Sequence, residues 1–252
     1  LSDSDIDDSF AIENHSLLEA VKSFPEQPLT FEADKNDKIV KIIYQNGQFS
    51  LPIESADVYP VAAKIADIAV SIQLSSALLS ENISRCLCAT AQDELRPVMN
   101  GVFFDITPEY LTIVSTDGHK LVRNRIYDIK NDVAASLILA KKPATILKNM
   151  LAKDDTLVTI TFDNRNAEVT FGDTRLLCRL IDGRYPNYNS VIPQNNQNVL
   201  HVDRETLLGA LKRVLPFASD SSNLVRFRID GHVLQLDAED FDFSKTATER
   251  LA

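Results

Sequence analysis

The chain has 252 residues, 44% of them hydrophobic and 25% charged, an ordinary globular usage that leaves little room for low-complexity disorder. No stretch approaches 18 uninterrupted apolar residues, so no membrane-spanning helix is expected, and the acidic opening run LSDSDIDDSF has neither the basic nor the apolar region of a secretory signal. The seven glycines, at 47, 101, 118, 172, 183, 209 and 231, never fall within ten residues of one another, which excludes both the G-x-G-x-x-G and the G-x-x-x-x-G-K-[ST] phosphate cradles.

In chain order, Ser9–Ile12 reads as a short strand and His15–Phe24 as a helix with Asn14 as its cap. Ile39–Tyr44 and Gln48–Ile53 flank Asn46-Gly47, a strong hairpin signal. Val70–Leu74 precedes a helix over Ser76–Cys86. A three-strand run follows, Gly101–Ile106, Tyr110–Ser115 and Lys120–Ile126, broken at Thr107-Pro108 and at Thr116-Asp117-Gly118. Ala135–Leu139 precedes a helix over Pro143–Leu151, with the proline where a first turn tolerates it. The strands Val158–Phe162, Ala167–Phe171 and Arg175–Leu180 come next. Val199–Val202 precedes a helix over Arg204–Val214 capped by Asp203, and Leu224–Ile229 and His232–Asp237 flank Asp230-Gly231. The strands alternate apolar and polar residues, as one-sided antiparallel strands do.

Each helix follows one short strand and precedes a meander. The units begin near residues 9, 70, 135 and 199, a repeat of about 63 residues in pattern though not in close identity. One unit cannot cover both faces of its sheet, but two placed back to back can, with their helices on one side. Units two and three then make a complete domain, and units one and four are half-domains. With Leu rather than Met at its start, the chain reads as a piece of a longer protein.

Charge is segregated. Lys141–Lys153 holds Lys141, Lys142, Lys148 and Lys153 and no acid, and Arg204–Val214 holds Arg204, Lys212 and Arg213 against Glu205. The four helical stretches together carry +6 within a chain of −10. Two readings stay open: a helix-lined surface facing phosphates with an acidic exterior, or solvated helix faces. No helix offers a cluster suited to reading base edges, so any DNA contact is to the backbone and indifferent to sequence.

Other residues are weighed the same way. Asp117 with His119 suits an acid–base pair, a binding wall or a plain turn, and no nucleophile recurs nearby. His15, His201 and His232 lack ligand spacing, and Glu239-Asp240-Phe241-Asp242 lacks the glycine and spacing of a cation loop, so no metal is expected. Cys86, Cys88 and Cys178 form no Cys-x-x-Cys pair, and the first two read as packing residues in a reducing, cytoplasmic setting. No cofactor is implied.

Three segments carry a family resemblance. Leu95-Arg96-Pro97-Val98-Met99-Asn100-Gly101-Val102-Phe103-Phe104, Thr116-Asp117-Gly118-His119-Lys120-Leu121, and Leu180-Ile181-Asp182-Gly183-Arg184-Tyr185-Pro186-Asn187-Tyr188 with Val191-Ile192-Pro193 resemble, in order and separation, motifs of the bacterial β sliding clamps. These are processivity subunits of the replicative DNA polymerase. The resemblance runs from about Phe10 to the end.

It implies an α+β DNA-clamp fold of repeated strand–helix–meander units, with sheets outside and helices lining a concave inner face. Residues 1–67 would be the C-terminal half of domain I, 68–195 the whole of domain II, and 196–252 the N-terminal half of domain III. The fragment would lack the N-terminal half of domain I and the C-terminal half of domain III. The family's head-to-tail homodimer ring encloses duplex DNA and tethers polymerases without catalysis. Its peptide pocket, which takes short linear peptides of the replicative polymerase, the clamp loader and repair polymerases, maps to Met99, Thr116, Gly118, His119, Lys120, Leu121, Pro186, Ser190 and Val191. Lys120 stands where the family usually has Arg, which loses a planar fork. The ring interface maps to Phe49 and Leu51 on one side and Pro216 and Phe217 on the other; by residue type alone Phe49 and Phe217 fit a core equally well. DNA contacts map to Arg96, Lys141, Lys142, Lys148, Lys153, Arg204, Lys212 and Arg213. No membrane partner is implied.

Overall fold

A computed structural model describes residues 9–66 and 69–251. The acidic opening run up to Asp8 and the domain boundary expected between residues 67 and 68 lie outside the described residues. The chain forms two compact units, one ending at Pro186 and one starting at Asn187.

The first unit opens with β1 (Phe10–Ile12), α1 (Asn14–Lys22), β2 (Thr30–Asp34), β3 (Ile39–Tyr44) and β4 (Gly47–Ser55). They form an antiparallel sheet in the order β1-β4-β3-β2. Val40, Ile42 and Ile53 are buried, whereas α1 buries no residue. The α1 cap is Glu13 rather than Asn14, which is the first helical residue. The Glu13 carboxylate accepts from the His15 amide at 2.8 Å and the Ser16 amide at 2.7 Å, so one side chain satisfies two otherwise unpaired donors. The hairpin turns on Gln45-Asn46, one residue earlier than the sequence suggests, and Gly47 opens β4 opposite Tyr44.

The middle of this unit holds two further repeats. They are β5 (Val70–Ser75), α2 (Ser76–Leu87), β6 (Gly101–Ile106), β7 (Leu111–Thr116) and β8 (Leu121–Ile126), and then β9 (Ala135–Ala140), α3 (Lys141–Met150), β10 (Leu157–Phe162), β11 (Asn166–Phe171) and β12 (Thr174–Arg179). The two repeats exchange their leading strands. β5 completes the sheet β12-β11-β10-β5 and β9 completes β8-β7-β6-β9. The register is the same in both. The helix cap stands opposite the first meander residue, Ser75 opposite Leu157 and Ala140 opposite Gly101. One and three residues before the cap, Leu74 and Ile72 face Val158 and Ile160, and Leu139 and Leu137 face Val102 and Phe104. All eight are buried, each contributing roughly 1.5–3 kcal/mol by leaving water. α2 packs on α3 and reaches strands of both sheets, so the repeats share one core. α3 begins two residues before Pro143, which falls in the first turn, where a missing amide costs nothing. It ends at Met150, so Lys153 lies in the loop beyond it.

The second unit holds α4 (Arg204–Val214), β13 (Arg226–Asp230), β14 (Val233–Asp240) and β15 (Lys245–Leu251), in the sheet order β13-β14-β15. Ala210 and Val214 of α4 pack with Leu234, Leu236 and Ala238. The strand expected over Val199–Val202 is not formed, and these residues belong to no sheet. The middle repeats supply the reason: a leading strand needs the meander edge of another repeat.

Candidate functional site

The first two motif segments and the third as far as Pro186 converge in the first unit. Gly101, where β9 crosses onto β6, has no room for a side chain. A β-carbon there would lie 2.6 Å from the Leu139 carbonyl oxygen and 3.0 Å from the Ile181 Cδ1 of the third segment. Gly183, at φ +125°, lies against Val98 of the first segment. The Ile181 amide donates to the Ile138 carbonyl at 3.0 Å. The buried Tyr185 ring stacks on Phe103, with centroids 4.5 Å apart and planes 2° from parallel. Burial pushes the Tyr185 phenol up to about 12. Through that stack Tyr185 ties the third segment to the first and sets where Pro186, which is exposed, leaves the sheet.

The second segment is a rigid turn. The Thr116 hydroxyl donates to the Lys120 carbonyl at 2.8 Å and accepts from the Gly118 amide at 3.1 Å. The Asp117 carboxylate accepts from the His119 and Lys120 amides, both at 2.9 Å, and pairs with the Lys120 ammonium at 3.1 Å. Those hydrogen bonds, the Lys120 amide first, hold its carboxyl well below the usual range. An oxygen committed to two amides is no general base, so the acid–base reading of Asp117 and His119 has no geometry behind it. Gly118 takes φ +91°, and a β-carbon there would meet the Arg96 guanidinium at 3.0 Å and the Met99 Cε at 3.9 Å. Met99 and Thr116 are buried, Leu121 is half-buried, and Gly118, His119 and Lys120 are exposed. Ser190 and Val191 are exposed in the second unit.

Arg96 was expected to face DNA and His119 and Lys120 to face a peptide, yet all three line one cleft of about 600 Å³ together with Lys141. Asp93 sets the Arg96 side, accepting from the Arg96 Nε at 2.8 Å and from the Leu95 amide at 2.8 Å. Asn100 of the first segment brackets the same loop, accepting from the Asp93 amide and donating to its carbonyl, both at 2.9 Å.

The basic residues of α3 divide between two places. Lys141 lines that cleft, while Lys148 and Lys153 line a groove of about 470 Å³ between α2 and α3 with Ser80, Ser84 and Arg85. Arg85, held by Glu81 one turn earlier, is absent from the expected set. Its only sequence signal was a neutralised i, i+4 pair. The cap of α3 is Ala140, which makes no side-chain hydrogen bond, and no acid stands in the first turn. Lys141 and Lys142 thus sit against the positive end of the helix dipole, each at a cost of about 0.3–1 kcal/mol. Among the described residues none of Lys141, Lys142, Lys148 and Lys153 forms an ion pair with an acid.

In the second unit, Asp203 caps α4, accepting from the Thr206 amide at 2.8 Å. Arg204 pairs with its neighbour Glu205. Arg213 forks onto Glu249 of β15, with Nε to Oε2 at 3.0 Å, which raises the arginine pKa and lowers that of the glutamate. Arg213 thereby fastens helix to sheet, a role the sequence did not reveal, and Lys212 is exposed. Pro216 and Phe217 are exposed. In the first unit, Phe49 and Leu51 are half-buried, Phe49 within a cluster with Phe24 and Tyr44 at centroid distances of 5.5 and 5.4 Å.

The remaining candidates are structural. Buried Cys86 donates to the Ile113 carbonyl, and its thiol is pushed up to about 11 by burial. Asp240 is spent on the amides of Asp242 and Phe243, and Glu239 pairs with Arg226. Among the described residues no group of three His, Cys, Asp or Glu is placed to hold a metal, and no helix is long and apolar enough to cross a membrane.

Repeated strand–helix–meander units, two of which trade leading strands around a shared core, with three motif segments locked together by glycine contacts, define an α+β clamp fold. The family model for the central domain of the DNA polymerase III beta subunit matches residues 73–187. A beta sliding clamp of Synechococcus elongatus is 29% identical over 220 residues, covering 82% of this chain and 57% of that protein. One of Bacillus subtilis is 27% identical, covering 86% of this chain and 57% of the relative. The solved sliding clamp (DNA polymerase III subunit beta) of Pseudomonas aeruginosa bound to griselimycin aligns with a TM-score of 0.86 at 21% identity, over 96% of this chain and 65% of that one. The chain is thus similar to the bacterial β sliding clamps in sequence and shares their fold, and it spans somewhat more than half the length of these relatives.

Proposed function

We propose that the chain acts as part of a sliding clamp. It encloses duplex DNA in a ring of two copies, touches the phosphate backbone without sequence preference, and tethers the replicative polymerase. Clamp-loader and repair proteins dock on it through short linear peptides. It works in the cytoplasm and catalyses no reaction. Residues 1–67, 68–195 and 196–252 serve as the second half of one clamp domain, a complete domain and the first half of a third.

The observation that carries this reading is the charge on α3. Lys141 and Lys142 oppose the helix dipole at an uncapped end, and Lys148 and Lys153 share a groove with Arg85. Helix stability does not account for the first pair, whereas a polyanion does. Arg96 in the first unit and Arg204, Lys212 and Arg213 in the second are also proposed as DNA contacts, with Lys212 least committed to partners. The peptide wall is proposed at Met99, Thr116, Gly118, His119, Lys120, Leu121 and Pro186, where a buried apolar floor lies beside an exposed polar turn, a combination suited to apolar peptide anchors. Ser190 and Val191 extend this set by resemblance. Griselimycin on the Pseudomonas clamp supports a ligand pocket in such a fold. The ring contact is proposed between Phe49 and Leu51 of one copy and Pro216 and Phe217 of the next, and the exposure of Phe217, at 40%, supports it.

The test is a titration of two duplexes of unrelated sequence by fluorescence anisotropy at several salt concentrations. The expected result is equal affinity for both and a steep loss as salt rises. Absence of binding at low salt would leave a β/α scaffold that binds proteins only.

A further inference from the structure

The proposed peptide wall and the cleft of about 600 Å³ share one turn, since His119 and Lys120 line both. A β-carbon on Gly118 would stand 3.9 Å from the Met99 Cε of the apolar floor and 3.0 Å from the Arg96 Nη1 of the cleft. With no side chain on Gly118, nothing at this position separates the floor from the guanidinium. A peptide anchored over Met99 that continues past Gly118 reaches Arg96 within about two residues of extended chain.

Charge inside the cleft is unevenly committed. The Asp93 carboxylate accepts from the Arg96 Nε at 2.8 Å, and the Asp117 carboxylate pairs with the Lys120 ammonium at 3.1 Å. Both acids also accept backbone amides, Asp93 from Leu95 and Asp117 from His119 and Lys120, so they are fixed in place. Two groups are left over. One is the Nη edge of the Arg96 fork, which faces Gly118. The other is Lys141, which opens α3 beyond a residue that makes no side-chain cap bond. Among the described residues Lys141 forms no ion pair. A carboxylate entering here gains a planar fork, an ammonium and the positive end of a helix.

We infer that this cleft is a second subsite of the peptide wall, and that it takes an aspartate or glutamate side chain flanking the apolar anchors of a docked peptide. Arg96 and Lys141 hold the carboxylate, and His119 and Lys120 form the rim.

The inference rests on the peptide reading and adds a charge preference to it. The lining favours a lone carboxylate over a run of phosphates. In the cleft, Arg96, Lys120 and Lys141 stand with two fixed acids, Asp93 and Asp117, which repel a polyanion. The groove of Arg85, Lys148 and Lys153 carries the single acid Glu81 and suits a phosphate backbone better. The side chain of one acidic residue is small enough to meet the free cations without lying along Asp93 and Asp117.

Arg96 and Lys141 are also proposed as DNA contacts, so the test uses the full chain without DNA. Peptides with the same Leu and Phe anchors, flanked on either end by Glu-Gly-Glu or by Gln-Gly-Gln, are titrated by fluorescence anisotropy. On one end the Glu flank should tighten binding about 5- to 10-fold at low salt. That gain should fade as salt rises and vanish in Lys141→Gln, while the Gln-flanked peptide binds parent and variant alike. Cys88, an exposed thiol on the cleft, reports position. Its alkylation by iodoacetamide, read by mass spectrometry against Cys178, should slow more under saturating Glu-flanked peptide than under the Gln-flanked one. Equal affinity of Glu and Gln flanks on both ends would overturn the inference and leave the peptide reading standing. Failure of every peptide to bind would remove both. A Glu gain that survives Lys141→Gln and leaves Cys88 unprotected would put the carboxylate elsewhere and overturn the inference. So would protection of Cys88 by a single-stranded oligonucleotide and not by the Glu-flanked peptide, which would give the cleft to nucleic acid.

Discussion

Gly183 lies against Val98, so close that a β-carbon on it would sit 2.8 Å from the Val98 Cγ1. Gly183 also takes φ +125°, a conformation that side chains disfavour. The contact locks the third motif segment onto the first, and with the Tyr185–Phe103 stack it fixes the path of the chain into Pro186. Gly183→Ala should therefore destabilise the first unit by about 1–3 kcal/mol through strain and overpacking. Urea denaturation followed by circular dichroism checks this; a midpoint equal to the parent's would mean that the contact holds nothing.

The α1 cap carries a pH dependence. Hydrogen bonds from Ser16, then from the His15 amide, lower the Glu13 carboxyl from 4.5 to about 2. Its folded value lies below its unfolded one, so the cap's contribution is fully present above about pH 4.5. It fades as pH falls toward 2. Hydrogen exchange of the α1 amides should show protection at pH 6 that drops by pH 3, and Glu13→Ala should lose that dependence. α1 is the helix to watch because it buries none of its own residues.

Two adjacent cations of α4 should separate by function. Arg213→Ala breaks the fork to Glu249 and should lower the thermal midpoint of the second unit. Lys212→Ala should leave that midpoint in place and reduce the salt slope of DNA binding by about 0.9, the value of one phosphate contact. Calorimetry and anisotropy on the same two variants supply both readings. Equal behaviour of the pair would show that the Glu249 bond does not set the role of Arg213.

The turn at residues 116–120 yields a prediction about binding. His119→Ala should weaken a peptide with Leu or Phe anchors by about 1–2 kcal/mol, measured by titration calorimetry, with no change in melting. The hydrogen bonds that shape the turn involve Thr116, Asp117 and the backbone, so the imidazole is free to be removed.

The strands with alternating apolar residues were legible because their pattern is local. β2 and β15 were not. β2 is exposed along its whole length and β15 along most of it, so neither shows a buried face to read. The exchange of β5 and β9 was hidden for a different reason: Leu74 and Leu139 look the same whether their partner edge lies near or far in sequence. Val199–Val202 shows the converse, a strand pattern without an edge. At the site, the three motif segments were readable, but the spatial grouping of Arg96 with His119 and Lys141 was not, since Gly118 brings Arg96 over the turn only in the folded chain. Arg85 stayed hidden behind its pairing with Glu81.

The central claim is that α3 faces phosphates. It is tested most directly by the salt dependence of duplex binding for the triple variant Lys141→Glu, Lys142→Glu, Lys148→Glu beside the parent chain. The account predicts a large loss of affinity at low salt and a slope of log K against log salt shallower by about 3, with unchanged circular dichroism. A triple variant that binds duplex as tightly as the parent, with the same slope, would contradict it.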